Sequence, residues 1–305
     1  MSKKEYRLGV DLGGTKIEIT AMDERGQLSL RKRIPTPANH YPTLLETLSQ
    51  LVTDTEAELN VSGCPLGIGI PGAISPATGL IKNANTTCLI GQALHRDLGT
   101  RLKRTVKLEN DANCFALSEA MDGAGAGYAS VFGVILGTGV GGGLVINGQL
   151  LNGPNAISGE WGHNPLPWPG STDLPAQTCY CGKQGCIETY LSGPGFARQA
   201  AAQQNLSGNS REIIALYQAG DAAAQQAYAA YVDRLARALA TVINVVDPHV
   251  IVLGGGMSNI TSLYQDVPAR WGRYVFSDTV ETLLVKNQHG DSSGVRGAAW
   301  LNSLC

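Results

Sequence analysis

Three cysteines crowd into one octapeptide, Cys179-Tyr180-Cys181-Gly182-Lys183-Gln184-Gly185-Cys186. Thiolates held that close, with glycines between them, suit a tetrahedral zinc ion, and His163 is the nearby imidazole that could supply the fourth ligand. Four protein ligands leave no open position, so such a zinc would be structural. The other reading is three free thiols in a loop. The chain has seven cysteines. An odd count without a secretion signal is no disulfide framework, and Cys64, Cys88 and Cys114 read as small apolar packing residues.

Two carboxylates flank the cluster: Glu160 in Glu160-Trp161-Gly162-His163, and Glu188 in Cys186-Ile187-Glu188. A shared metal at His163 and Cys186 would bring them together. Asp111, in Asn110-Asp111-Ala112-Asn113, opens a helix. A carboxylate there either stabilises the helix N-terminus or serves as a general base toward a substrate hydroxyl. Asn, Asp, Glu and His side chains offer acceptors, or donor and acceptor together, which a polyhydroxylated substrate needs.

Glycine is abundant, 38 of 305 residues, and clustered beside apolar runs. Three strand ends carry such clusters: Gly13-Gly14-Thr15 followed by Lys16, Gly137-Thr138-Gly139, and Gly254-Gly255-Gly256. Without a Cβ, backbone N–H groups approach phosphate oxygens closely, and Thr15 and Thr138 add hydroxyl donors. Asp11 lies inside an apolar strand just before the first loop, where a carboxylate is costly unless compensated. It sits either near Mg²⁺ or its waters, or bonded to loop amides. No Gly-x4-Gly-Lys-Ser/Thr loop is present. Gly137-x-Gly139-x-x-Gly142 matches the dinucleotide pattern formally, but the apolar Leu144–Ile146 and an Asn147-Gly148 turn follow it, which predicts a hairpin and not the helix of a dehydrogenase.

The elements that must position these residues alternate between strand and helix. Strands are expected at Arg7–Leu12, Ile17–Met22, Leu28–Ile34, Leu66–Ile70, Val106–Leu108 and Val250–Leu253. Helices are expected at Tyr41–Leu59, Ala93–Arg104, Asp111–Met121, Ala222–Val246, near Ser258–Trp271, and at Val295–Leu301. Gly9–Thr15 resembles Gly133–Gly139, offset by 124 positions, and each run leads through an apolar stretch to a glycine turn. That offset is too long for a solenoid. It fits two similar lobes that each open with a meander displaying a glycine loop, in an α/β architecture.

These motifs resemble those of sugar kinases of the repressor–open reading frame–kinase (ROK) family. The resemblance is carried by Asp11–Lys16, Gly69-Ile70-Pro71-Gly72, Glu109–Asn113, Leu136–Gly139, Glu160–His163, Cys179–Glu188 and Leu253–Gly256, in family order along nearly the whole chain. The cysteine cluster is the most specific of them. Asn83-Ala84-Asn85, His163-Asn164-Pro165-Leu166-Pro167-Trp168 and His289–Gly297 look most like bacterial fructokinases. The resemblance implies an actin-like, hexokinase-like (ribonuclease H-like) α/β fold with duplicated lobes and a central cleft, cut near 1–120 and 121–305, with the final helix able to return to the first lobe. It implies transfer of the ATP γ-phosphoryl group, with Mg²⁺, to the 6-hydroxyl of fructose. Kinases for glucose, mannose or N-acetylglucosamine are the alternative, and a silent sugar sensor a further one. Asp111 would be the base. Gly72, Asn85, Asn110, Glu160, His163 and Glu188 would hold the sugar. Asp11, Gly13, Gly14, Thr15, Lys16, Gly137, Thr138 and Gly139 would face phosphates and metal, and Gly254, Gly255 and Gly256 the adenosine. A structural Zn²⁺ would sit on His163, Cys179, Cys181 and Cys186, and a homodimer is the family expectation.

Composition excludes other classes. Lys+Arg 23 against Asp+Glu 25 gives a net charge of -2, unlike a protein that lives on nucleic acid or an anionic membrane. The 43% hydrophobic content supports a sizeable core. The longest apolar stretch is broken by glycines, and residues 1–7 do not read as a signal peptide, so a cytoplasmic protein is expected. A repressor of the same family would place a helix-turn-helix before the first glycine loop, and the first strand begins near Arg7. A zinc hydrolase would need an open metal position.

Overall fold

The computed structural model describes residues 5–37, 40–84 and 86–303. Two five-stranded sheets organise the chain. The first contains β1 (Tyr6–Leu12), β2 (Lys16–Asp23), β3 (Leu28–Pro35), β4 (Leu66–Ile70) and β7 (Val106–Asn110), in the order β3-β2-β1-β4-β7. A small hairpin, β5 (Ala73–Ile74) and β6 (Ile81–Lys82), follows β4. The second sheet contains β8 (Ser130–Leu136), β9 (Val140–Ile146), β10 (Gln149–Leu150), β11 (Val250–Gly254) and β12 (Leu283–Lys286), in the order β10-β9-β8-β11-β12. Each sheet is a meander whose first strand pairs in parallel with one later strand, which in turn pairs in parallel with a second. The repeat at Gly9 and Gly133 therefore falls on equivalent strands, β1 and β8.

Contacts divide the described residues into two compact units. One comprises those up to Gly127, Gly143–Ser158 and those from Asp291 on; the other comprises Tyr128–Gly142 and Gly159–Gly290.

In the first unit, α1 (Tyr41–Glu58) starts at His40, whose ring accepts from the Thr43 amide at 3.4 Å, and it buries Leu44, Leu48, Leu51 and Val52. The α2 helix (Leu94–Leu102) buries Leu94 and Leu98, and the α3 helix (Asp111–Asp122) begins directly at the end of β7. The C-terminal helix of this unit (Ser293–Trp300) lies on β1, β4 and α3. Glycine makes that approach possible. A Cβ on Gly9 would stand 2.1 Å from the Val295 carbonyl oxygen, and one on Gly297 would stand 1.7 Å from that of Cys114. Part of the glycine excess thus serves backbone packing rather than ligand contact.

In the second unit, α4 (Glu188–Leu191), α5 (Gly193–Gln204), α6 (Ser210–Gln218) and α7 (Ala222–Val246) lie between β10 and β11 in sequence. Asp221 caps α7 through the Ala224 amide at 2.8 Å, and Asp247 in the left-handed region ends it before Pro248. Tyr231, fully buried on α7, donates to the Leu191 carbonyl at 2.9 Å and meets Phe196 edge-on. The helix expected near Ser258–Trp271 is instead a 3-10 turn (Gly256–Asn259) and two single-turn helices, α8 (Leu263–Asp266) and α9 (Pro268–Trp271). Pro268 has no N–H to continue a helix, so a new turn starts there. With α8 and α9 counted, the Ser293–Trp300 helix is α10. Among the described residues, no helix is long and apolar enough to cross a membrane.

Candidate functional site

In the first unit, Gly13-Gly14-Thr15 forms the tight β1–β2 connection, closed by the Gly13 amide donating to Lys16 O at 3.0 Å. Thr36, just past β3, straps the loop by donating its hydroxyl to Gly13 O at 2.7 Å and its amide to Thr15 O at 3.0 Å. Asp11 stands at the end of β1 opposite Glu18, which in turn pairs with Arg33 across β2–β3. Desolvation, then the negative charges of Asp111 and Glu18, raise the Asp11 carboxyl to about 6, against the opposing pull of Lys16 and Arg33. Its electrostatic coupling to Asp111 places the two aspartates in one neighbourhood.

Asp111 is the first residue of α3. The Asn110 side chain caps the helix, accepting from Ala112 N at 2.9 Å and Asn113 N at 3.4 Å, and donates to Gly72 O at 3.1 Å. Glu109 braces the corner, accepting from the Asn110 amide at 2.8 Å, the Asn113 side chain at 2.9 Å and the Asn152 side chain at 2.8 Å. Asp111 Oδ1 accepts from Ala112 N at 2.8 Å. That bond and its place in the first turn give Asp111 the helix-stabilising role its position predicts. Gly72 passes β6 so closely that a Cβ would meet Lys82 O at 2.8 Å. The candidate Asn85 lies outside the described residues. Thr86 has a buried Oγ1 with no hydrogen-bond partner among the described residues, 3.8 Å from where a Cβ on Gly14 would stand.

In the second unit, His163, Cys179, Cys181 and Cys186 converge, their ligand atoms all within 4.8 Å of one another. Cys181 Sγ and Cys186 Sγ are 3.6 Å apart, and Cys179 Sγ lies 3.7 Å from His163 Nδ1. A tetrahedron with Zn–S of roughly 2.3 Å has edges of about 3.7 Å, so the donor set fits zinc. The scaffold is local. Pro165 and Cys186 form one bridge, Thr178 and Gln184 another, and Gly182 and Gly185 make the turns at φ of 86° and 73°. The other ring nitrogen of His163, Nε2, is 3.1 Å from the Tyr180 hydroxyl.

Glu188 opens α4 and joins this cluster to the second glycine loop. Its Oε1 is 4.0 Å from Cys179 Sγ, and its Oε2 accepts from the Val140 amide at 2.9 Å. A Cβ on Gly139 would stand 2.7 Å from that same Oε2. Glu160 precedes a 3-10 turn, Trp161–His163, fixed where Trp161 Nε1 donates to Gly141 O at 3.0 Å.

A cavity of about 540 Å³ opens beside this loop. Gly137, Thr138 and Gly256 line it, together with Gly193 and Pro194 of α5, Ser210, Arg211 and Gln218 of α6, and Met257 and Asn259. The structure thus brings Gly137, Thr138 and Gly256 to one pocket. Gly139 is held against Glu188, Gly254 ends β11, and Gly255 (φ 81°) crosses β8 where a Cβ would meet Leu136 O at 2.5 Å. The α5–α6 wall was missed, although Asn209-x-x-Glu212 is a capping box that marks the start of α6.

The loop between His163 and Cys179 carries a second feature that motif reading missed. Asp173 is buried, and Arg234 and Arg237 of α7 bond its two carboxylate oxygens at 2.8 and 2.9 Å. Arg237 also donates to the carbonyls of Pro167 at 3.0 Å and Trp168 at 2.7 Å. Trp168 adopts φ 45°, costly for a bulky residue, and stacks on Tyr274 at 5.5 Å.

A family model described as the ROK family matches residues 7–303. The chain is 43% identical over 298 residues to an N-acetyl-D-glucosamine kinase of Salmonella gallinarum, covering 96% of this chain and 98% of that enzyme. The fold is similar to a ROK hexokinase from Thermus thermophilus, with a TM-score of 0.85 and 31% identity over 98% of this chain and 99% of that one. It is also similar to a ROK family glucokinase from Streptomyces griseus in complex with glucose and AMPPNP, with a TM-score of 0.75 and 26% identity over 97% of this chain and 98% of that one.

Proposed function

The chain belongs to the ROK family, and from that premise we propose that it is a sugar kinase transferring the γ-phosphoryl group of ATP to the 6-hydroxyl of a hexose. The observation that supports this most is the Glu109–Asn113 corner, where Asn110 caps α3 and Asp111 shares an electrostatic neighbourhood with Asp11 beside the first glycine loop. Phosphoryl transfer asks mainly for positioning, charge neutralisation and a base for the hydroxyl proton. Asp111 takes that proton. On the family resemblance, Asn110, Glu160, His163 and Glu188 are the proposed partners of the other sugar hydroxyls, with Gly72 and Asn85 as further candidates. The backbone of residues 13–16 and 137–139 receives phosphate oxygens, and the 540 Å³ cavity takes the nucleoside. Mg²⁺ bound with the nucleotide neutralises phosphate charge, and Asp11 would hold it or its waters. His163, Cys179, Cys181 and Cys186 would hold a structural zinc that ties the loop bearing Glu160 to that bearing Glu188.

N-acetyl-D-glucosamine is the sugar that similarity to the Salmonella gallinarum enzyme supports, ahead of the fructose read from the sequence. Fructose stays as a second reading on the strength of the runs at 83–85, 163–168 and 289–297. A single hydroxyl or acetamido contact separates such substrates. The test is ADP release from MgATP by zinc-loaded protein with N-acetylglucosamine, fructose, glucose and mannose at matched low concentrations. Preference for N-acetylglucosamine is expected. Preference for fructose would reverse the sugar assignment and keep the chemistry. Absence of turnover with every hexose would overturn the kinase reading.

A further inference from the structure

Tyr180 sits in sequence between two of the proposed zinc ligands, and no role above uses it. Its side chain is divided in environment. The residue is 81% exposed, yet its hydroxyl is committed to His163 Nε2 at 3.1 Å, with the two rings edge-on at 5.2 Å and 87°. His163 turns its other nitrogen to Cys179 Sγ at 3.7 Å, and that sulfur is 4.0 Å from Glu188 Oε1. The phenol tip therefore stands against His163, a side chain assigned to the sugar, while most of the residue's surface is open to solvent.

A neutral imidazole has one N–H and one acceptor nitrogen. If Nδ1 is a zinc ligand as proposed, Nε2 would carry the hydrogen and donate it to the Tyr180 oxygen 3.1 Å away. The phenol keeps its own hydrogen to donate outward. A sugar hydroxyl that accepts from Nε2 must therefore share or replace that bond, so it meets the Tyr180 phenol at His163. A rigid aromatic ring with an open face and an available O–H donor offers a hexose both things it lacks in plain polar pockets: a surface for its C–H face and a directed partner for one oxygen.

We propose that Tyr180 is a contact residue of the acceptor sugar, its ring packing on the sugar's C–H face and its hydroxyl completing the set formed by His163, Glu160 and Glu188. This inference rests on the sugar-kinase reading. The backbone on either side is held independently, by the Cys179 amide donating to Lys183 O at 2.8 Å and the Gly182 amide to Cys179 O at 3.0 Å, so the side chain can be altered without dissolving the turn.

The experiment compares full-length, zinc-loaded wild type with Tyr180→Phe and Tyr180→Ala. It measures the KM of the preferred hexose, the KM of ATP, sugar Kd by calorimetry and bound metal by elemental analysis. Loss of one hydrogen bond predicts a rise of roughly 5–10-fold in sugar KM and Kd for Tyr180→Phe. Loss of the ring as well predicts about 30–100-fold for Tyr180→Ala. Metal content and ATP KM should stay within about twofold, a scale on which one lost hydrogen bond would register. Unchanged sugar Kd in both variants, or a tighter one, would overturn the assignment. So would loss of metal with ATP and sugar KM rising together, which would make Tyr180 a structural part of the turn. A wild type that neither binds nor phosphorylates any hexose would sink the kinase reading itself, and that is visible before either variant is made.

Discussion

Two aspartates, one in each compact unit, are held in opposite protonation balance. Asp11 is raised to about 6, because desolvation and the charges of Asp111 and Glu18 outweigh Lys16 and Arg33. Asp173 is more deeply buried by surface area, yet its carboxyl is held below the usual range. Burial alone would raise it, but the hydrogen bonds from Arg234 and the Gly170 amide and the charges of Arg237 and Arg234 outweigh that cost. The difference separates two uses of a buried acid. Asp173 is enclosed by donors and serves the fold. Asp11 is left electrostatically strained beside a glycine loop, where an arriving cation or phosphate-bound metal would relieve it.

The largest expected effect tests the reactive side of that contrast. Asp111→Asn removes a base while keeping size and the bond to Ala112 N. Turnover should fall roughly 10³–10⁴-fold, about 4–5 kcal/mol in the barrier, with melting temperature and sugar Kd little changed. Turnover close to wild type would remove Asp111 as the base. Asp173→Asn tests the structural side. It leaves Arg234 and Arg237 buried with their shared countercharge gone, so unfolding free energy should drop by about 4 kcal/mol. Urea titration reads that loss. A stable variant with a weakened sugar KM would instead mean the clamp positions the sugar loop without supporting the unit.

The same loop has another proposed anchor, and its removal shows which one dominates. Cys181→Ala should release the metal and cost about 4 kcal/mol when free zinc is near 10³ times its Kd. Elemental analysis with thermal melts in the presence and absence of chelator checks this. Unchanged metal content and stability would leave Asp173 with Arg234 and Arg237 as the main fastening of residues 163–179.

What the sequence made legible follows the reach of each signal. The cluster at 179–186 spans eight consecutive residues, and the start of α3 at Asp111 follows directly from the strand before it, so both were readable locally. The matching strands β1 and β8 were readable because the same strand-then-loop problem was solved twice with the same residues. The Asp173 clamp was not, since Arg234 and Arg237 are 61 and 64 positions away and nothing in an alanine-rich amphipathic helix says which arginines face inward. The α5–α6 wall of the cavity fell between motifs for the same reason. The break at Pro268 is a local signal, a residue without an N–H inside the stretch expected as one helix. Glycine abundance was read toward ligands, whereas Gly9, Gly67 and Gly297 answer to the close seat of α10.

The smallest effect carries the sharpest sign. An acid whose folded value is raised loses stability as pH climbs from its unfolded value of 3.8 to its folded value of about 6, and the full penalty persists above that. The shift corresponds to at most about 3 kcal/mol. Asp11→Asn has no charge to bury, so it should match wild type near pH 4 and exceed it at pH 8 by up to about 3 kcal/mol, while turnover falls. Asp173 runs the other way: its stabilisation is present above its unfolded value and fades as pH drops through its folded one. Denaturant melts of both variants at pH 4, 6 and 8 therefore cross in direction. Should Asp11→Asn gain nothing at pH 8, the carboxylate is already compensated by the protein, and its place beside the glycine loop would have to be explained as structure.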